Sequence, residues 1–551
     1  MENTTTRLWF CDRSQIATCA SEAFDFNEKP HFLISFFLSA LYADDTAQGW
    51  DPTIVRVLVA QQGGEPIYPY DITVHSVSED GRIEQVVHRT ETLLSQVSAD
   101  GIMGRGSRVW TAHRVITGTG KKARLDERLV VLKDFWIDSD RKREGNIVNN
   151  LRKKAHESIA LSNEQKKLFL EHIPTILHHG DVLISGSPDQ TRSLQDIFKR
   201  DYAGELVTYD LVDGLRKARE TTDEGTRSHL SQSSYVDRAV RHGIALQDPK
   251  THYRVVFKDH GYALHEETVP LSVFIAIRDV MRCLAILHFL GWVHRDISTG
   301  NILVIGGGSN HLRGLLTDFS MPKNIRRKMG TEYYMSVEVN VHQYLFTSGS
   351  PTDAALKENP QPKPEQWGLK FGKLLTLHED DVVCQPLATS SLLPFRYHPL
   401  NDWESLWWVS MYMVVDRIVE QPDMSNIRSI DEQRKIARRF FYISDERMKF
   451  FSADPVPLDI QLQSVIHPAF SKVLERLRNI RIKLRKAYRE VEKDVKTRYP
   501  DARRSLDLAL EGTAVEMALI CTYLEKEVSS TLRIVPIPPK GAATKETAGG
   551  K

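Results

Sequence analysis

Val293-His294-Arg295-Asp296-Ile297-Ser298-Thr299-Gly300-Asn301 is the stretch on which the reading of this chain turns. It sets an acid, Asp296, five residues ahead of an amide, Asn301, with His294 and Arg295 directly before the acid. At that spacing one loop can serve both sides of a phosphoryl transfer. The Asp accepts the proton of an attacking hydroxyl, and the Asn holds a metal ion against nucleotide phosphates. A pattern of four fixed residues also arises by chance in turns, so its weight depends on its surroundings. Seventeen residues beyond Asn301 stands Asp318-Phe319-Ser320, a second acid in the context of a metal-binding Asp-Phe-Gly element whose Gly is replaced.

The two elements together have the spacing of a protein-kinase catalytic loop and the metal-binding Asp that follows it. They predict an α+β, two-lobed protein-kinase-like fold: a small antiparallel β lobe and a larger, mainly helical lobe, with an N-terminal helical addition and insertions. The other parts can be sought in order. Lys133 ends the β-prone run Val130-Val131-Leu132-Lys133 and fits a strand lysine that grips the inner phosphates. Glu144, eleven residues on, precedes an apolar helical pattern through Ile147, Val148 and Leu151 and fits the acid that holds that lysine. A solvated strand-edge lysine and a solvated helix-face glutamate are the plainer readings of the same two residues.

The phosphate-cradling turn should lie one hairpin before Lys133, at Gly101-Ile102-Met103-Gly104-Arg105-Gly106-Ser107-Arg108-Val109. Gly104, Gly106 and Val109 are its ATP-binding candidates, although the G-x-G-x-x-G-x-V order is incomplete and a simple hairpin turn explains the glycines equally well. Asn301 and Asp318 are the candidate metal ligands, because Mg²⁺ favours oxygen donors from one or two protein groups plus phosphate. Asp296 is the candidate base, and Arg295 is a candidate partner for an activation-loop phosphate. Among residues 319–329 only Ser320 offers a hydroxyl, which disfavours control by phosphorylation there. Three residues have structural parts: His294 in the loop, Glu338 in Gly330-Thr331-Glu332-Tyr333-Tyr334-Met335-Ser336-Val337-Glu338, and Asp402 in Asn401-Asp402-Trp403-Glu404-Ser405-Leu406-Trp407-Trp408. Asp402 would anchor the catalytic-loop backbone; an ordinary helix N-cap is its alternative.

Composition sets limits on the rest. With 551 residues, 41% hydrophobic and 26% charged, the chain has the make-up of a soluble globular protein. A net charge of +1 supplies no global attraction to nucleic acid or membrane. Five scattered cysteines without a C-x-x-C pair read as reduced thiols rather than a disulfide framework or zinc site. The apolar run at 32–43 is too short to span a bilayer and is placed too far in for a signal peptide. The expected compartment is therefore intracellular, cytoplasmic or nuclear.

The pattern along the chain gives a helical extension over 1–70, with Phe32, Phe36, Phe37, Leu38 and Leu41 on one buried face. A small lobe follows over 71–265, with a polar, helix-prone insertion at about 155–239. The large lobe covers 266–530 with an insertion at about 345–398, and 531–551 reads as a disordered tail. Residues 472–498 carry eleven basic and four acidic side chains around an apolar stripe. That segment reads as a solvated helix packed by one face, with docking of an acidic partner or nucleic acid as the alternative.

The wording of H-R-D-I-S-x-x-N, G-T-x-x-Y-M-S-x-E and D-x-E-S-L-W-W resembles the fungal-type protein-kinase-like family of the eukaryotic protein-kinase superfamily, over about residues 9–408. The resemblance implies ATP and Mg²⁺ as cofactors and a phosphotransferase activity, with a protein substrate it does not name. The sequence departs from many serine/threonine kinases at Ser298, where a Lys would meet the transferred phosphate, and at Ser320. Three functions stay open: a protein serine/threonine kinase, a small-molecule phosphotransferase acting on aminoglycoside- or choline-like alcohols, and a pseudokinase binding scaffold.

Overall fold

The computed structural model describes residues 4–10, 19–57, 68–78, 81–96, 105–191, 249–306, 312–319, 331, 333–346, 395–420, 427–452, 456–495 and 502–538. Gly104, Ser320, the charged stretch 217–227, most of the 345–398 insertion and residues 539–551 lie outside that set. The chain forms two units, residues 1–147 with 175–260, and residues 148–174 with 261–551.

The first unit is built on an antiparallel sheet of seven strands. Its members are β5 (Ile54–Arg56), β6 (Tyr70–Val77), β7 (Ile83–Gln96), β8 (Arg108–Thr117), β9 (Arg124–Asp138), β10 (Ile176–Asp181) and β13 (Lys250–Phe257), in the order β10-β13-β9-β8-β7-β6-β5. Side chains alternate between faces along a strand, and β9 shows the consequence. Val130 and Leu132 join Ile72, Val74, Trp110, Ala112 and Val256 on one face, while Phe135 and Ile137 join Tyr253, Val255 and Phe257 on the other. Lys133 belongs to the Phe135 face. The sheet curls so far that β10 meets β6: a Cβ on Gly180 would lie 1.7 Å from the His75 carbonyl oxygen.

A polar network is sealed inside this unit. Arg254, wholly buried, donates to Asp134 Oδ1 at 2.7 Å, Thr53 Oγ1 at 2.6 Å, Thr73 O at 2.8 Å and Asp51. His252 Nε2 lies 2.8 Å from Asp134 Oδ1, and Arg108 reaches Asp134 Oδ2 at 2.7 Å. Burial alone pushes the Asp134 carboxyl up, but the charges of His252 and Arg254 hold it well below the usual carboxylate range.

The N-terminal region differs from the expected helical extension. It contains the short strand pairs β1 (Thr5–Thr6) with β4 (Phe24–Asp25) and β2 (Trp9–Phe10) with β3 (Cys19–Ala20), and its β5 is part of the main sheet. Its helix α1 (Pro30–Tyr42) buries no residue, and Phe36 is 50% and Leu41 71% exposed. The reason is visible in the sequence: apart from His31 the helix is apolar or hydroxyl-bearing on every face, so no stripe selects a side to bury. The expected insertion at 155–239 also contributes structure. α2 (Glu144–Glu157) runs into it, α3 (Asn163–Glu171) opens on a Ser162 capping box, β10 completes the sheet, and β11 (Leu183–Ile184) pairs with β12 (Ser187–Pro188).

In the second unit β14 (Tyr262–Ala263), β15 (Ile302–Ile305) and β16 (Arg313–Leu316) form a small sheet, and α4 (Pro270–Phe289) ends just ahead of Gly291 at φ +81°. Further on come α5 (Val337–Val341), α6 (Pro399–Val415), α7 (Ile427–Tyr442), α8 (Ser444–Ser452), α9 (Val456–Val465), α10 (Ser471–Glu492) and α11 (Ala502–Glu527). The basic residues of α10 divide: Lys472 is exposed, as a helix packed by one face predicts, while others turn inward. Arg481, Lys483 and Arg485 are buried, and Lys483 Nζ donates to Glu516 Oε1 of α11 at 2.7 Å. Long aliphatic stems let these cations pack internally while their charged ends find acceptors, Glu516 for Lys483 and the Phe450 carbonyl for Arg481. Within the stretch 531–551, expected to be disordered, β18 (Ile534–Pro536) pairs with β17 (Arg417–Val419). Among the described residues no helix is long and apolar enough to cross a membrane.

Candidate active site

Lys133 and Glu144 meet within the first unit. Lys133 stands on β9 opposite Val109 of β8 and Val255 of β13, and its Nζ donates to Glu144 Oε2 at 3.0 Å. The same Nζ sits 4.6 Å from the centroid of the Phe135 ring. Glu144 is wholly buried as the first residue of α2. Two features set α2 there. Gly145 N donates to the Tyr253 hydroxyl at 2.9 Å, and a Cβ on Gly145 would come 2.2 Å from the His179 ring. Only glycine lets the helix start so close to β10. Gly106 takes φ +53°, a left-handed value that suits a glycine in the turn before β8.

The loop of the second unit hangs from one carboxylate. Asp402, in the first turn of α6 and 1% exposed, accepts His294 N at 2.6 Å and His288 Nε2 at 2.9 Å on Oδ2, and Arg295 N at 2.7 Å on Oδ1. Trp403 Nε1 donates to His288 Nδ1 at 3.1 Å, so the proton of a neutral His288 sits on Nε2, facing Asp402. Burial alone raises Asp402, yet these hydrogen bonds and the neighbouring His288 and His294 hold it below its ordinary value. The anchor keeps Arg295 at φ +76°, a strained position for a side chain with a Cβ. Arg295 places its guanidinium 5.5 Å from the centroid of the Tyr397 ring.

Asp296, Asn301 and Asp318 are brought together around this loop. Asn301 Nδ2 donates to Asp296 O at 2.9 Å, which aims the amide oxygen away from the loop backbone. The Asn301 carbonyl accepts Thr317 N at 2.9 Å, and His294 Nε2 donates to Thr317 O at 2.9 Å. Phe319 packs edge-on against His294 at 5.0 Å. Between Thr317 and Phe319, Asp318 takes φ +61°. Burial raises the Asp296 carboxyl, the negative charge of Asp318 raises it further, and His294 and Thr331 pull against them. The side-chain oxygens of Asn301 and Asp318 are hard donors of the kind Mg²⁺ takes, so the residues present fit that ion.

Ser298 is buried, and its hydroxyl accepts Asn301 N at 3.2 Å. It braces the loop where a lysine would bring charge. Thr331 donates both N, at 2.9 Å, and Oγ1, at 3.0 Å, to Asp296 Oδ1. Tyr334 is buried with its hydroxyl 3.1 Å from Thr299 Oγ1. Glu338, wholly buried on α5, accepts Leu345 N at 2.6 Å, and its other oxygen is 3.3 Å from His398 Nε2. His398 also lies 3.6 Å from Glu492 of α10, whose second oxygen accepts Phe346 N at 3.0 Å. The Glu338 group therefore secures the chain after α5.

Two contributors escaped the sequence reading. His288 is six residues before His294 at the end of an apolar helix, with nothing local to mark it. Glu404 had a signal, as the second acid of Asp402-Trp403-Glu404, but only Asp402 received a part.

The model of the family described as "Fungal protein kinase" matches residues 1–414. No curated protein matches the chain. Among solved structures it is similar to vaccinia related kinase 3, at 10% identity and a TM-score of 0.29, over 74% of this chain and 91% of that one. With the family matched over about three quarters of its length, this chain is a member of the fungal protein kinase family.

Proposed function

We propose that the protein is an ATP- and Mg²⁺-dependent kinase that transfers the γ-phosphoryl group to serine or threonine hydroxyls of proteins. The observation that carries this reading is the pair of bonds from Thr331 to Asp296 Oδ1. They commit one carboxylate oxygen, and the other, Oδ2, is the proposed acceptor of an incoming hydroxyl's proton. A carboxylate raised by burial and by Asp318 is a better proton acceptor than an exposed one. In the transfer the bond from γ-phosphorus to the ADP oxygen breaks, a bond to the acceptor oxygen forms, and the acceptor's proton passes to Asp296. Asn301 and Asp318 would hold Mg²⁺, whose charge offsets that of the phosphates. Lys133, fixed by Glu144, is the proposed grip on the inner phosphates, with Gly104, Gly106 and Val109 in the phosphate-cradling turn.

Radiolabelled ATP offered with generic protein acceptors, and separately with aminoglycosides and choline, tests the reading. Labelling of protein by the wild type and its loss in Asp296→Asn is the expected result. Labelling of the small alcohols alone would move the assignment to a small-molecule phosphotransferase. Equal labelling by both proteins, or no binding of ATP, overturns it.

A further inference from the structure

Asp296 Oδ1 is held by Thr331, which depends in turn on the chain that follows it. The chain from Thr331 to Glu338 is fixed at its far end by α6. Glu404, wholly buried, accepts Val337 N at 2.8 Å and Trp408 Nε1 at 2.9 Å on Oε1, and the Tyr488 hydroxyl at 2.8 Å on Oε2. Tyr488 is itself buried and accepts Asn401 Nδ2 at 3.2 Å. Arg447 of α8 lies 4.3 Å over the Trp408 ring and donates to the Met335 carbonyl. The carboxylate thus sits where α5, α6, α8 and α10 converge, with the charged Arg447 and Glu338 nearby.

We propose that Glu404 is a positioning residue for the phosphoryl acceptor, fixing Val337 and through it the place at which Thr331 meets Asp296. The proposal rests on the kinase reading above for its catalytic consequence, but the anchor itself does not. Val337 N is the first amide of α5 and has no acceptor within its own helix. A neutral side chain without an oxygen at 404 strands that donor, and the segment Tyr333–Ser336 loses its fixed end at Val337. A glutamine retains an oxygen for Val337 and Trp408 and turns its NH₂ toward Tyr488. Glu404→Gln is therefore the conservative variant, and Tyr488→Phe removes the support on Oε2 while sparing the Val337 bond.

Two measurements on the full chain decide it. Hydrogen exchange at Val337 should be slow in the wild type, in Glu404→Gln and in Tyr488→Phe, and fast in Glu404→Ala. Phosphotransfer by Glu404→Ala should fall about a hundredfold in kcat, the scale of a displacement near 1 Å, with unchanged affinity for ATP, and Glu404→Gln should restore most of it. Unchanged exchange in Glu404→Ala overturns the anchor. Fast exchange with unchanged kcat overturns the positioning role, and so does a folded Glu404→Gln as inactive as Glu404→Ala. A wild type that transfers no phosphate overturns the kinase reading and the positioning role with it, while the exchange result still judges the anchor.

Discussion

Replacing Asp402 with alanine removes the side chain that, among the described residues, ties the loop backbone to α6 through both His294 N and Arg295 N. Two stranded amides cost about 1–3 kcal/mol each, and the lost bond from His288 adds about 1 kcal/mol. Against this, Arg295 is released from φ +76°, and leaving the left-handed region recovers about 1–2 kcal/mol. The net loss is about 3 kcal/mol. With a urea slope of about 2–3 kcal/mol/M the midpoint should fall by about 1–1.5 M. Tryptophan fluorescence can follow it, because Trp403, Trp407 and Trp408 sit buried on the same helix. Asp402→Asn tests the geometry more sharply. Its oxygen can occupy the Oδ2 place and keep His294 N and His288, leaving the NH₂ group against Arg295 N, so about half of the loss should return. A midpoint for Asp402→Ala within about 0.3 M of wild type, or an Asp402→Asn less stable than the alanine variant, would refute the reasoning.

Lys133→Met leaves the buried Glu144 without its lysine, and breaking such a pair costs about 3–5 kcal/mol. Lys133→Met with Glu144→Leu should recover most of the melting temperature while nucleotide binding stays weak. Gly145→Ala drives a Cβ into the His179 ring and should destabilise the first unit by about 1–3 kcal/mol, read as a lower thermal midpoint. The two units should also answer pH with opposite signs in hydrogen exchange. Asp134, held low by His252 and Arg254, contributes stability present above its unfolded value of 3.8 and lost as pH falls through its depressed folded value. Burial pushes Glu404 up to about 7 from 4.5, so the folded state binds the extra proton and the second unit loses stability as pH rises across that interval. Glu404→Gln should remove this slope.

The geometry of the candidate site was legible where residue type and spacing go together. Asp296, Asn301 and Asp318 lie on one short stretch of chain, and the hairpin of β15 and β16 has little freedom to place them elsewhere. Lys133 and Glu144 were legible for a related reason: a strand lysine before a helix-leading acid is a local pattern, and Gly145 closes the gap. The N-terminal helix was misread because apolar content marks a helix without marking its partner. α10 was read only in part, for the converse reason. The charge of Lys483 looked solvated until Glu516 of α11, distant in sequence, was placed beside it. β18 has only three residues, and its pairing with β17 depends on a contact across more than a hundred positions that no local pattern records.

The same limit explains why α6 holds two functions and showed one. An amphipathic helix turns one face inward, and residues two apart point to different sides, because each step rotates the side chain by about 100°. Asp402 and Glu404 therefore cannot serve the same neighbour. On a surface helix one of them would meet solvent. α6 instead has every residue buried except Tyr412, so both directions are occupied by protein. One acid meets the backbone of the catalytic loop and the other meets the first amide of α5. A helix without a polar face shows no periodicity, and its two acids are buried charges that only hydrogen-bond donors on opposite sides can make tolerable. Among those donors are His294 N and Arg295 N, on the segment that carries Asp296, and Val337 N, on the segment that follows Thr331. A substitution at either acid should therefore disturb the same carboxylate, Asp402 through the backbone that bears it and Glu404 through the threonine that orients it.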